Sequence, residues 1–224
     1  MIGWWKNATR SARLAMAVLL LAAPAGLTAC AALNPTAPSL YTLTPRAVID
    51  PALPRVDWQL LVETPVANAA IDTPRITVTR SATSIDYFAG VSWADRAPNM
   101  IQGLLIQTFE DSGRIVSVGR DTVGLRSDFV LKTDLRDFQA EYVTPNAPFP
   151  ERVHIRMAAK LVGTPQRTIE AGETFEAFVP VRGQDFTAIV NAFNEAMGAV
   201  AAELVQWTLV NGNAVYRAGG GRSR

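Results

Sequence analysis

The chain has 224 residues, of which 21 are basic and 20 are acidic, so its formal net charge at neutral pH is +1. Nucleic-acid-binding proteins usually present a strongly basic face, and this balance therefore excludes nucleic acid as an expected partner. The single cysteine excludes an intramolecular disulfide framework. The length suits one domain with a short extension.

The first 29 residues have the layout of a bacterial secretory signal. Lys6, Arg10 and Arg13 precede an apolar run over residues 14–23, and no acidic residue lies among them. This run is shorter than the roughly 20 residues that a membrane-spanning helix needs. Residues 1–29 are therefore predicted to direct export and to be removed.

The signal ends on Leu27-Thr28-Ala29-Cys30, which resembles a bacterial lipobox. The resemblance implies that the Cys30 thiol carries diacylglycerol and that its freed amine carries an N-acyl chain; no other cofactor is expected. The alternative is a chance cysteine after an ordinary signal. We favour lipidation because it explains the odd thiol of an exported chain, and because several acyl chains hold a protein durably on a membrane. Ala31, where enteric inner-membrane lipoproteins have Asp, implies the periplasmic face of the outer membrane.

Prolines are frequent after the cysteine and divide the chain into a tether and a body. Residues 30–55 are predicted to form an extended tether that holds the body off the lipid, with a short strand at 40–44 docked on the domain edge. The folded domain is expected over residues 56–210. Residues 211–224 contain three consecutive glycines and are predicted to be a disordered tail.

Apolar runs of strand length recur through the first half of the domain, at residues 58–62, 75–78, 84–88 and 114–118. A helix is predicted to start within residues 93–98, with Asp95 as its cap, and to stop at Gly113. Pro74 lacks an N–H group, so residues 72–74 are predicted to be a turn or a strand opening at an edge.

The second half has the clearest patterns. Residues 129–138 have strand character, and residues 153–161 alternate strictly, with one face buried and one face, including His154, in water. Residues 168–179 are predicted to pair back as an antiparallel strand. From Phe186 onward, apolar residues recur at helical spacing. The order of elements predicts an α+β fold, a two-layer sandwich in which two main helices pack on one face of a mostly antiparallel sheet.

Catalytic or metal-binding constellations are not evident. His154 is the only histidine, which leaves no histidine cluster for zinc, and the chain has no Gly-x-Ser-x-Gly elbow or phosphate-binding loop. The carboxylates are scattered and read as solvated surface charges. The protein is therefore predicted not to be an enzyme and to bind no metal.

Several motifs in order resemble the ABC-type transport auxiliary lipoprotein family, whose best-known member is the lipoprotein of the paraquat-inducible system. They are the lipobox, Tyr41-Thr42-Leu43, the run from Ile71 to Ile76, Trp93-Ala94-Asp95 and Phe193-Asn194-Glu195. The resemblance implies a non-enzymatic partner of an ABC permease, its ATPase and an MCE-domain (mammalian cell entry) protein. Such systems move lipids between the two membranes, and the lipoprotein docks the MCE component at the outer membrane.

Four residues are candidates for partner docking: Thr73, Pro74, Arg75 and Trp93. For the first three, a docking edge and a simple chain turn are weighed equally, and Arg75 is expected to pair either with a partner carboxylate or with Asp95. Trp93 is read first as a core anchor and second as a docking residue. Two alternatives to the docking role are a lipid carrier that holds an acyl chain itself and, less favoured, an envelope hydrolase. A homo-oligomer is left open.

Overall fold

The computed structural model describes residues 37–120, 126–164 and 166–220. The predicted signal, the lipobox and Cys30 lie outside the described residues. Residues from Pro38 onward form one compact unit.

Nine strands and two helices make up the described part of the chain. The strands are β1 Ser39–Tyr41, β2 Val56–Val62, β3 Val66–Ala67, β4 Arg75–Ser81, β5 Ser84–Trp93, β6 Ile115–Arg120, β7 Phe129–Glu141, β8 Arg152–Gly163 and β9 Thr168–Pro180. The helices are α1 Ala97–Ser112 and α2 Phe186–Ala218.

The long strand β7 organises the sheet. Along one edge it pairs antiparallel with β8 over its whole length, and β8 pairs antiparallel with β9. Along its other edge it pairs in turn with β2, β3 and β4, all parallel. β6 then extends the sheet beyond β2, while β5 and β1 extend it beyond β4.

The predicted α+β sandwich with two helices is confirmed. The sheet is more mixed than expected. Its longest ladders, β7–β8 and β8–β9, are antiparallel, but the pairings of β7 with β2, β3 and β4, and those of β2–β6 and β1–β5, are parallel. Hydrophobic alternation does not reveal whether two strands pair parallel or antiparallel, because side chains alternate with a period of two in both kinds of sheet.

The core lies between the sheet and α2. Alternate residues of β8 from Val153 to Leu161 are fully or almost fully buried, and so are the α2 residues that face them, including Phe193, Met197 and Leu204. α2 is long and apolar enough to cross a membrane by length and composition, but 61% of its most apolar window is buried within the protein. It is therefore the core helix of this domain.

The segment predicted as a tether is, from residue 38 onward, part of the folded body. β1 pairs with β5, and the chain after it keeps Leu43 and Leu53 at 3% and 7% exposure. The Thr44 amide donates to the Asn194 Oδ1 of α2 at 2.7 Å. A Cβ at Gly198 would lie 2.7 Å from the Arg46 carbonyl oxygen, so the glycine allows this arm (residues 42–55) to cross α2 closely. The short strand predicted at 40–44 on the domain edge is confirmed as β1. The extended spacer that the prolines suggested is wrong for the rest of residues 38–55, which pack on the body.

The first helix starts within the predicted residues 93–98, but its predicted cap needs correction. Trp93 ends β5, and α1 begins at Ala97 with Arg96 as its N-cap, so Asp95 does not cap the helix backbone. Asp95 instead accepts from the Arg96 amide and the Asn99 side chain. The predicted stop at Gly113, which has φ of 60°, is confirmed.

The predicted disordered tail is wrong for residues 211–218, which continue α2. Gly212 is buried against Trp58, and a Cβ there would lie 2.7 Å from the indole ring. The glycines that suggested a tail begin only after the helix has ended.

Candidate docking edge and a polar cluster around His154

The predicted docking residues Thr73, Pro74 and Arg75 form a tight turn between the sheet and α1. The Thr73 hydroxyl accepts from the Arg75 amide at 3.2 Å, and its carbonyl accepts from the Ala97 amide at 3.3 Å. The Pro74 carbonyl accepts from the Trp93 amide at 2.7 Å. Pro74 and Arg75 are exposed. The turn therefore has a structural role and also presents an open surface.

Arg75 does not pair with Asp95, which was one of its two expected partners. Its guanidinium lies over the Tyr87 ring, 3.5 Å from the ring centroid, and the Tyr87 hydroxyl donates to the Ala70 carbonyl. This stacking orients the cation while leaving its N–H donors without a hydrogen-bond partner among the described residues. A stacked guanidinium with free in-plane donors is suited to receive a carboxylate.

Trp93 is not available to a partner. It is 1% exposed, and its ring lies 5.2 Å from the Phe193 ring and 5.7 Å from the Phe138 ring, centroid to centroid. The first reading of Trp93, as a core anchor, is therefore confirmed, and its second reading, as a docking residue, is wrong. The ion pair between Asp72 and Arg96 lies on the surface beside the turn.

His154 was predicted to lie on the wet face of its strand, and it is in fact buried, with 8% exposure. Its side chain is on the face of the sheet opposite the helices, as the alternation predicted, but neighbouring strands cover it. Nδ1 lies 2.9 Å from Glu141 of β7, and Nε2 lies 2.7 Å from Glu176 of β9. The ring stacks on Phe178 at 4.2 Å between centroids.

Glu141 collects most of the hydrogen bonds in this cluster. Burial on its own would raise the pKa of its carboxyl group, but hydrogen bonds from Gln139, Arg152 and His154, together with the His154 charge, outweigh burial and hold the pKa below the usual 4.5. The Arg152 Nε donates to its second oxygen at 2.7 Å. Glu141 is therefore a structural anion rather than a general acid.

A cleft of about 570 Å³ opens beside this cluster, bordered by the β4–β5 hairpin and the ends of β7 and β8. Arg80, Arg136 and Arg152 lie in its lining with Asp137 and Glu141. Sequence reasoning missed it because its members come from distant parts of the chain. The alternation of β8 predicts that His154 and Arg156 share one face of the strand. It does not predict which residues of the neighbouring strands lie beside them.

The described residues contain no group of three or more His, Cys, Asp or Glu side chains placed to hold a metal ion. Both His154 ring nitrogens are engaged by carboxylates, so neither is free to activate a hydroxyl nucleophile. The arrangement joins the three strands β7, β8 and β9.

Comparison with known proteins identifies the family. The profile described as "ABC-type transport auxiliary lipoprotein component" matches residues 40–205. The chain belongs to this family. It is a family of membrane-anchored envelope lipoproteins associated with ABC transport and is not a known enzyme family.

Solved structures and a curated relative are also similar to this chain. The crystal structure of protein XCC0632 from Xanthomonas campestris is similar over 80% of this chain and 99% of its own, with 35% identity and a TM-score of 0.74. A second crystal structure, of an uncharacterized protein, shares the fold over 76% of this chain and 98% of its own, with 15% identity and a TM-score of 0.60. The uncharacterized protein bll6063 of Bradyrhizobium diazoefficiens is 26% identical over 76% of this chain. The chain spans 44% of the length of that relative.

Proposed function

We propose that this protein is the lipid-anchored auxiliary component of an MCE-type ABC system that moves lipids across the envelope, and that it docks the MCE-domain protein at the outer membrane. The observation that carries the proposal is the family match over residues 40–205, directly downstream of a lipobox ending at Cys30. An acylated cysteine anchors the body to the membrane, and the body acts through contacts rather than chemistry.

The clefts support an adaptor in preference to the lipid carrier. An acyl chain needs an enclosed, mostly apolar cavity. The cleft beside His154 is lined by arginines and carboxylates, and a second cleft of about 620 Å³, between the arm and α1, is lined by Arg46, Asp50, Asp111 and Arg114 as well as apolar groups. Both would leave charged groups against an alkyl chain, at a cost in desolvation. The hydrolase alternative has no support in the bonding of His154.

The turn at Thr73–Arg75 is the proposed docking edge. Arg75 is exposed and oriented by Tyr87, and the neighbouring Asp72–Arg96 ion pair adds a second polar contact point. An acidic side chain of the MCE-domain protein would fit the free donors of Arg75 in a bidentate geometry. Such a charged contact at an interface rim mainly sets specificity and association rate.

Affinity capture tests this proposal. The protein is co-expressed with the permease, ATPase and MCE-domain protein of one genomic cluster, and the MCE-domain protein is expected to co-purify with it in detergent. Cys30→Ser is expected to move the protein from the membrane to the soluble fraction and to remove the acyl mass from its N-terminus. Unchanged partitioning of Cys30→Ser would refute the anchor.

A pair of arginine variants tests the docking edge. Arg75→Ala is expected to reduce capture of the MCE-domain protein at least several-fold, since it removes a donor pair from the contact. Arg182→Ala, an exposed arginine whose partner is Glu195 on α2, is the matched control and is expected to leave capture unchanged. Equal capture by both variants would remove Arg75 from the interface.

A further inference from the structure

A neutral His154 ring does not have enough N–H donors for its two contacts with carboxylates. Nδ1 lies 2.9 Å from an oxygen of Glu141 and Nε2 lies 2.7 Å from an oxygen of Glu176. A neutral imidazole has one N–H donor and one lone pair, whereas ionised carboxylates only accept. One of the two contacts would then set a nitrogen lone pair against a carboxylate oxygen. A ring that carries protons on both nitrogens satisfies both contacts.

The charges around the ring also balance when His154 is doubly protonated. The charged groups of the surrounding elements are Arg80, Asp137, Glu141, Arg152, Arg156 and Glu176. Arg152 pairs with Glu141 and Arg156 pairs with Asp137, at 2.7 and 2.6 Å. Glu176 is then left with His154 as its near partner, because its contact with Arg156 is 4.0 Å long.

Arg80 and Arg136, which also line this cleft, do not supply the positive charge that a doubly protonated His154 would provide. Arg80 lies over the Tyr142 ring, 3.7 Å from its centroid, and Arg136 pairs with Asp134. With a neutral His154, the cluster of three carboxylates and two paired arginines would keep one excess negative charge beside a buried ring.

The same ring fastens an edge of the sheet. Among the described strands, β9 is bonded only to β8, so its outer side is a free edge. Phe178 of β9 stacks on the His154 ring with 18° between planes and also contacts the Arg152 guanidinium at 4.4 Å. A cationic ring attracts the face of Phe178 more strongly than a neutral ring does.

We propose that His154 is a doubly protonated clamp that ties the edge strand β9 to β7 through Glu176 and Glu141 and holds the end of β9 near Phe178 on the sheet. The clamp is independent of the proposed docking function.

Nitrogen NMR tests the protonation directly, because His154 is the only histidine. The full chain is labelled with ¹⁵N-histidine and purified in detergent without a histidine tag. Both ring nitrogens are expected to be protonated at pH 7.0. One protonated and one unprotonated nitrogen at that pH would overturn the proposal.

Two conservative variants on β9 test the clamp. Glu176→Gln is expected to speed amide hydrogen exchange at residues 176–180 at pH 7.0, since it weakens one of the two contacts of the clamp. Glu173→Gln, on the same strand, is the matched control, because among the described residues its side chain accepts only from the Thr174 amide. Equal behaviour of the two variants would overturn the clamp, and circular dichroism verifies that both are folded.

Discussion

Glu141 shows how one side chain gains its role from three others. It is the acceptor for Gln139, Arg152 and His154, and these donors hold the pKa of its carboxyl group below the usual 4.5 although burial opposes them. In the sequence it was one of several scattered carboxylates. The pairing of Glu141 with Arg152 across β7 and β8 is what distinguishes it.

The lowered pKa of Glu141 predicts how acid affects stability. Because the folded state favours the ionised carboxyl group, its contribution is complete above pH 4.5 and is lost as the pH falls below that value through the folded-state pKa. The difference in unfolding free energy between the wild type and Glu141→Gln is therefore expected to shrink between pH 6 and pH 3. Urea denaturation at each pH measures it.

The control for this experiment is Glu203→Gln, on the exposed side of α2. Its difference from the wild type is expected to be small and to vary little over the same range. A pH-independent difference for Glu141→Gln would show that its hydrogen bonds do not favour the ionised form.

At the scale of elements, the arm over residues 42–55 is the main departure from expectation. It has no regular structure and many prolines, which are the usual marks of a linker. It nevertheless packs on α2 through Leu43, the Thr44 amide and the close approach at Gly198. Some of its hydrogen bonds are local, as from the Leu53 amide to the Asp50 carbonyl, and others reach distant elements, as from the Arg114 side chain to the Pro51 carbonyl.

A pair of arm variants measures this packing. Leu43→Ala is expected to lower the unfolding free energy by about 2–4 kcal/mol, because it leaves a cavity under the arm. Val48→Ala, at a residue of the same arm that is 90% exposed, is expected to change it by less than about 0.5 kcal/mol. Chemical denaturation measures both, and similar small effects would restore the interpretation of this segment as a free tether.

At the scale of the whole molecule, the packed arm shortens the connection to the proposed anchor. With residues 38–55 in the body, residues 31–37 are what joins the body to Cys30. Seven extended residues reach at most about 25 Å. If Cys30 carries the lipid, the body is held near the bilayer, and a partner must come to it there.

Lengthening this connection tests the consequence. An insertion of a dozen Gly and Ser residues between Leu33 and Asn34 is expected to keep membrane attachment and folding, because it precedes the compact unit that begins at Pro38. It is expected to weaken complementation of an envelope-permeability defect in a strain lacking the protein, since the body is no longer restricted to the membrane surface. The same insertion after Gly220 is the control, and equal complementation by both would show that proximity does not matter.

Local patterns were enough to establish the class of fold, both helices and every described strand except the two-residue β3. They also carried the family resemblance that the profile match then confirmed. These features depend on the spacing of apolar residues and on turn residues such as Gly113, which act over a few positions. The helical continuation past Asn211 escaped detection because it depends on the contact of Gly212 with the distant Trp58.

Only the tertiary structure decided the pairing directions, the packing of the arm, the burial of Trp93 and the environment of His154. Each depends on residues far apart in the chain that meet across the sheet, as Glu141 and Glu176 meet His154. A hydrophobic repeat of two or 3.6 residues predicts which face of a strand or helix a side chain lies on. It does not predict which residues of other elements contact that side chain. The sequence by itself thus determined which elements form and predicts an export signal before Cys30, and the fold decided which polar groups find partners among the described residues and which, like Arg75, stay open.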